Sequence, residues 1–199
     1  AALGETKPAL AIHQPQIHGL PTLRQLSDTE QELWRNDAHA LRLAVSRHPG
    51  ERLLSFWHDK LHLADPAYAP LNASVQAARG KDESEACRFS DFLSYLSDHW
   101  ELLQSDGHLM PQHRYIGQSD LFNLRLDRSQ LVKELPRKLK PLLPGERLQR
   151  LSQELKSYDN HCRQRLGKRW EDAYGKEGFA LLETLYGEDL ETFEYSLPR

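Results

Sequence analysis

The chain has 199 residues, 39% hydrophobic and 28% charged, with a net charge of −3. That composition suffices for one large folded domain and excludes wholesale disorder. A pI near 6.4 argues against a nucleic-acid-binding surface but leaves room for a local basic pocket.

From the N-terminus, "PALAIH" (residues 8–13) reads as a short strand, followed by a Pro- and Gly-containing loop that carries His13 and His18. "LSDTEQELWRNDAH" has Ser27 and Glu30 at the spacing of a capping box, which predicts a helix over 28–38. "ALRLAVSR" (40–47) is short and apolar, a buried strand. Pro49 then opens a helix whose Leu53, Leu54, Trp57 and Leu61 share one arc, leaving Arg52, Ser55 and Asp59 on the polar side.

Residues 65–88 read as a loop-like excursion. A helix follows, with Ser90 as its cap and with Phe89, Phe92, Leu93, Leu96, Trp100 and Leu103 in one stripe, ending at Gly107. A strand at 121–126 and a helix from about Asp127 come next, with Pro136, Pro141 and Pro144 interrupting. The remainder is mostly helical, and Phe179, Leu182, Tyr186, Leu190 and Phe193 lie on one face despite Gly187.

Strand, helix, strand, helix and more helix is the order of an α/β layer with a small sheet. Two cysteines, Cys87 and Cys162, are too few and too far apart for a zinc site or a disulfide framework; a reducing compartment is the simpler reading, and a single bridge is the alternative. No apolar run approaches the roughly 18 residues that span a bilayer, and the opening residues do not have the pattern of a signal peptide.

The most chemically suggestive stretch is "AVSRHPGERLLSFWHDK" (44–60). A strand that turns into a helix N-terminus offers unpaired N–H groups and a positive dipole end to an anion. Arg47, at the carboxyl end of the strand, is placed to grip a phosphate, Ser55 to add a hydroxyl, and Gly50 to let the backbone come close. The alternative is an arginine paired with a surface carboxylate and a serine without a role.

This stretch resembles the "R-D-P-F-E-R-L-x-S-x-Y" segment of the carbohydrate sulfotransferases of the chondroitin and HNK-1 type. "FSDFLSYLSD" resembles that family's "F-x-x-F-x-x-Y-L" helix. "DGHLMPQHRYIG" is similar to its "H-W-x-P-Q" loop, with Pro111 and Gln112 in register, and "LYGEDLETFEYS" is similar to its closing "L-Y-x-x-D-x-x-x-F-x-Y". The likeness runs in order from about Leu41 to Tyr195.

The resemblance implies a P-loop-kinase-like sulfotransferase fold, a small parallel sheet in predominantly helical surroundings, as one domain over 1–199. It implies a sulfotransferase that moves a sulfuryl group from 3′-phosphoadenosine 5′-phosphosulfate to a hydroxyl, of a carbohydrate, releasing 3′,5′-adenosine bisphosphate and using no metal. Carried over, the residues that bind the donor's 3′-phosphate are Arg47 and Ser55, and Arg52 matches a further family arginine. Some members carry a catalytic histidine just after an early strand, which makes His13 and His18 the candidate bases; loop histidines without a role are the alternative. His108 and His113 flank Pro111-Gln112 and are candidates for lining the acceptor site.

Three departures qualify the likeness. His48 stands where the family has Asp. The family's cysteine-rich loop after Pro-Gln has no counterpart, pointing to a bacterial, cytoplasmic relative; a eukaryotic one would work in the Golgi lumen. The 5′-phosphosulfate loop and the strand before it have no match upstream of His13. The alternative function is therefore a non-catalytic nucleotide-binding or interaction domain derived from the same fold.

Overall fold

The computed structural model describes residues 25–80, 86–117, 122–166 and 169–198, with the side chains of 158–166 excepted. The expected strand at 8–13, His13, His18 and Leu121 lie outside the described residues. The chain divides into two compact units, residues 1–42 and 43–199.

In the first unit, helix α1 (Asp28–Asn36) begins as its sequence predicts. The Ser27 side chain accepts from the Glu30 N–H, and the Glu30 carboxylate accepts from the Ser27 N–H at 2.8 Å. The helix buries none of its residues.

The second unit is built around two parallel strands. Strand β1 (Leu43–Ser46) pairs with β2 (Leu124–Asp127) in the register Leu43↔Leu124 to Ser46↔Asp127. Both are shorter than expected. Ala44 and Leu126 are buried while Val45 is exposed, so β1 is a strand with one buried face, not a fully buried one. A crossover between parallel strands passes through helices, and here it contains α2 (Pro49–Phe56), α3 (Ala69–Ala78), α4 (Phe89–Asp98) and α5 (Leu102–Ser105). After β2 come α6 (Leu131–Leu139), α7 (Gly145–Leu166) and α8 (Gly175–Thr192).

Helix α2 continues without a break as a π-helical turn, Trp57–His62. Its inward residues Leu53, Leu54, Phe56 and Leu61 join Phe92, Leu93 and Leu96 of α4 and Leu182 and Tyr186 of α8 in one core. Phe56 stacks on Phe92 with centroids 5.7 Å apart. Each such side chain, fully buried, contributes on the order of 1.5–3 kcal/mol.

Three expectations are corrected. The excursion at 65–88 contains the helix α3, preceded by a 3-10 turn (Pro66–Tyr68) that Asp65 caps, its side chain accepting from the Ala67 N–H at 3.0 Å. Pro66 and Pro70 both sit in first turns, where proline costs no hydrogen bond. The long helix from Phe89 ends at Asp98, because His99 leaves the helical region at φ −125°, ψ 54°. Its N-cap is Arg88, with Ser90 inside the first turn, and Trp100 leaves the buried stripe to stand 58% exposed. Pro136 lies inside α6 and does not end it; the break comes after Leu139.

Among the described residues, no helix is long and apolar enough to cross a membrane.

Candidate functional site at the carboxyl ends of the strands

The two strands stop level with each other. Ser46 and Asp127 are the last register pair, and the next residue on each strand is an arginine, Arg47 and Arg128. Both guanidiniums converge on Glu51 in the first turn of α2: Arg47 Nη2 lies 3.1 Å from its Oε1, and Arg128 Nη1 contacts the same oxygen. Arg47 Nε is buried and has no hydrogen-bond partner among the described residues. Ser55 lies one turn beyond Glu51 on the same helix face, half-buried. Arg47, Glu51 and Ser55 thus form one row at four-residue spacing.

Arg52, expected beside them, is directed elsewhere. Its Nη1 donates to the carbonyls of His108 (3.2 Å) and Met110 (2.7 Å), Nη2 lies 3.6 Å from Asp189, and the guanidinium sits over the Tyr186 ring. It braces the loop before Pro111.

His48 accounts for one departure from the family pattern. It is the N-cap of α2, its Nδ1 accepting from the Gly50 N–H at 3.1 Å, a task an Asp side chain also performs. The other ring nitrogen faces the Ser196 carbonyl at 3.4 Å, and the ring packs on Trp170. Burial lowers the His48 pKa below its ordinary value, with the Ser196 carbonyl and nearby carboxylates opposing. The neutral tautomer protonated at Nε2 fits both contacts.

Gly50 does not leave space for a ligand. A Cβ there would come within 2.4 Å of Trp170, its N–H is held by His48, and its carbonyl accepts from Tyr174. The glycine is required by packing.

Tyr195 closes the edge. Its hydroxyl contacts Ser46 Oγ at 2.8 Å and donates to Asp127, joining the ends of both strands. Burial, then the bond to Asp127, push the phenol pKa upward, so it stays protonated. Tyr195 is brought back by a Schellman motif at the end of α8: its N–H bonds the Leu190 carbonyl and that of Glu194 bonds the Glu191 carbonyl, with Glu194 at φ 55°.

Beside this edge lies a buried carboxylate. Asp189, 1% exposed, accepts from the backbone N–H groups of Gln112 (2.9 Å) and His113 (2.8 Å), and one of its oxygens lies 2.8 Å from His113 Nδ1. The Gln112 side chain in turn accepts from the Arg47 N–H at 3.2 Å. His113 Nε2 is 2.7 Å from Glu188. His108 takes part in none of these bonds to Asp189; its carbonyl holds Arg52. Among the described residues, no cluster of three or more His, Cys, Asp or Glu side chains is arranged to hold a metal.

Sequence reasoning reached Arg47, Ser55 and the Pro111-Gln112 loop but gave no role to Glu51 or Arg128, nor to Asp189 and Tyr195, which it matched only as letters of the closing segment. One signal was available: "S-R" and "D-R" stand at the carboxyl ends of the two apolar segments that become β1 and β2.

The chain belongs to the sulfotransferase family, whose sequence profile matches residues 5–196. It is 29% identical over 122 residues to carbohydrate sulfotransferase 10 of Pongo abelii, a match covering 56% of this chain and 33% of that protein. The chain therefore matches about a third of that relative's length. No solved structure matches it.

Proposed function

We propose that this domain transfers a sulfuryl group from 3′-phosphoadenosine 5′-phosphosulfate to a carbohydrate hydroxyl, using a P-loop-kinase-like sheet edge to hold the donor. The observation that carries the reading is the convergence of Arg47 and Arg128, one residue past the last register pair of two parallel strands, on a single anionic oxygen of Glu51. Ligands of open parallel sheets bind at the carboxyl ends of the strands. Two guanidiniums beside a helix N-terminus, one with a buried Nε that has no partner among the described residues, suit a phosphate dianion.

In this reading Arg47 and Ser55 take the donor's 3′-phosphate, Arg128 adds a second guanidinium, and Arg52 positions the Pro111 loop. The donor supplies an activated sulfuryl group; the chain supplies orientation, charge and a base. His13 or His18 serves as that base, accepting the proton of the acceptor hydroxyl. The name of the orangutan relative supports a carbohydrate as the acceptor class.

The test is a thermal melt with and without 3′,5′-adenosine bisphosphate, followed by a transfer assay with the donor. At ligand about 100-fold above Kd, mass action predicts a rise of roughly 5 °C or more for a chain of this size. The rise should vanish in Arg47→Ala and shrink in Arg128→Ala; a full rise in Arg47→Ala refutes the site. His13→Ala or His18→Ala should lower the transfer rate and leave the melting shift unchanged. Binding with no transfer in the wild-type chain would make this a non-catalytic nucleotide-binding domain.

A further inference from the structure

A cavity of about 490 Å³ opens beside the Asp189 cluster, and the donor site makes no use of it. Its size falls in the range of roughly 300–1,000 Å³ typical of small-ligand sites. Trp100, Leu185, Thr184, His113, Arg114 and Glu188 contribute to its wall. The mixture is an aromatic plate with aliphatic support, together with a carboxylate, a guanidinium and a hydroxyl.

Each part has a local cause. Trp100 faces solvent because α4 stops at Asp98, two residues before the buried stripe would have taken the indole inward. A 58% exposed tryptophan beside a cavity leaves a large amphipathic face uncovered. Another part of the wall is tethered to a buried side chain. His113 is buried, with Nδ1 against Asp189 and Nε2 against Glu188, so one oxygen of a carboxylate that is otherwise 77% exposed is fixed in place. Non-helical φ/ψ at Tyr186 kinks α8 immediately before Gly187, and a Cβ at Gly187 would meet nothing within 4 Å, which keeps that wall open.

We propose that this cavity is a sugar-binding subsite for the acceptor chain, with one pyranose ring stacked on Trp100 and its hydroxyls bonded by Glu188 and Arg114. A sugar ring is an amphipathic disc: its axial C–H face suits an indole, and its rim of adjacent hydroxyls suits planar carboxylate and guanidinium groups. The subsite lies one residue along from Gln112, whose side chain holds the Arg47 N–H. Lying beside the donor edge and outside it, the cavity suits one sugar of the acceptor chain. The assignment rests on the carbohydrate-acceptor reading above.

The experiment is isothermal titration of the wild-type protein and of Trp100→Ala and Glu188→Gln with two probes, a neutral N-acetyllactosamine tetrasaccharide and an acidic chondroitin tetrasaccharide. Binding of at least one probe is expected, weakened tenfold or more in Trp100→Ala and several-fold in Glu188→Gln. The melting shift with 3′,5′-adenosine bisphosphate should be unchanged in both variants. If neither probe binds the wild-type protein, or Trp100→Ala binds as well as wild type, the subsite is overturned. A Trp100-dependent oligosaccharide affinity in a protein that ignores the nucleotide would sustain the subsite and refute the donor site, so the two failures are distinguishable.

Discussion

Two carboxylates of the larger unit do opposite kinds of work. Glu51 is partly exposed and is held by side chains, the guanidiniums of Arg47 and Arg128. Asp189 is buried and binds chiefly backbone, the N–H groups of Gln112 and His113, with the His113 ring and Arg52 around it. A carboxylate held by guanidiniums can be replaced by another anion that accepts the same bonds. Backbone donors at a buried carboxylate cannot be resolvated without opening the fold. The first arrangement suits a place where a ligand arrives; the second suits a joint that must hold still while it does.

The largest effect that tests this contrast is on stability. Asp189→Ala leaves two buried N–H groups and Arg52 without their acceptor and should cost about 3–5 kcal/mol, read by chemical denaturation without ligand. Asp189→Asn should fall between wild type and Ala, since it keeps an acceptor oxygen and loses the charge. A wild-type denaturation midpoint for Asp189→Ala would dissolve the distinction.

Glu51→Gln leaves two largely buried guanidiniums without their carboxylate and should lower the denaturation midpoint in the absence of ligand, by less than Asp189→Ala does, but tighten 3′,5′-adenosine bisphosphate about threefold to tenfold, a gain on the order of 1 kcal/mol. The cause is removal of a negative charge from between the two arginines. Weaker binding in this variant would mean that Glu51 positions the arginines and does not compete with the ligand.

Glu194 occupies the left-handed position of a Schellman motif, where glycine carries no Cβ penalty. Glu194→Gly should stabilise the protein by about 0.5–1 kcal/mol, seen as a higher denaturation midpoint. A destabilised variant would show that the Glu194 side chain contributes more than its backbone strain costs.

The smallest effect concerns acid. Burial lowers the His48 pKa, so the folded state prefers the neutral ring. Its contribution is present above the unfolded imidazole value near 6.5 and is lost as pH falls through the lower folded value. His48→Asn retains an N-cap acceptor and should flatten the fall in melting temperature below neutral pH. An unchanged pH profile would exclude His48 as a source of acid sensitivity.

Legibility in the sequence followed distance along the chain. The Ser27–Glu30 capping box, the Pro49 helix start and the inward leucines of α2 were readable because their causes lie within one or two turns. Helix α3 was missed because its residues are mostly small and because Pro66 and Pro70 look like breakers unless they are placed in first turns. Trp100 was misassigned because periodicity continues past a helix end that only backbone geometry reveals. The anion edge was half legible: Arg47 announces itself at a strand end, whereas its meeting with Arg128 depends on strand register. Asp189 was readable only as part of a family-like segment, since its partners lie 76 and 77 residues away.

The bond between Tyr195 and Ser46 spans 149 residues. During synthesis, β1 and α2 leave the ribosome long before the phenol that ties the strand ends together. The strand ends are therefore tied only when the last helix, which also carries the core residues Leu182 and Tyr186, has been made. Loss of the residues around 195 would leave much of that core intact and the sheet edge untied, separating the acquisition of fold from the acquisition of function.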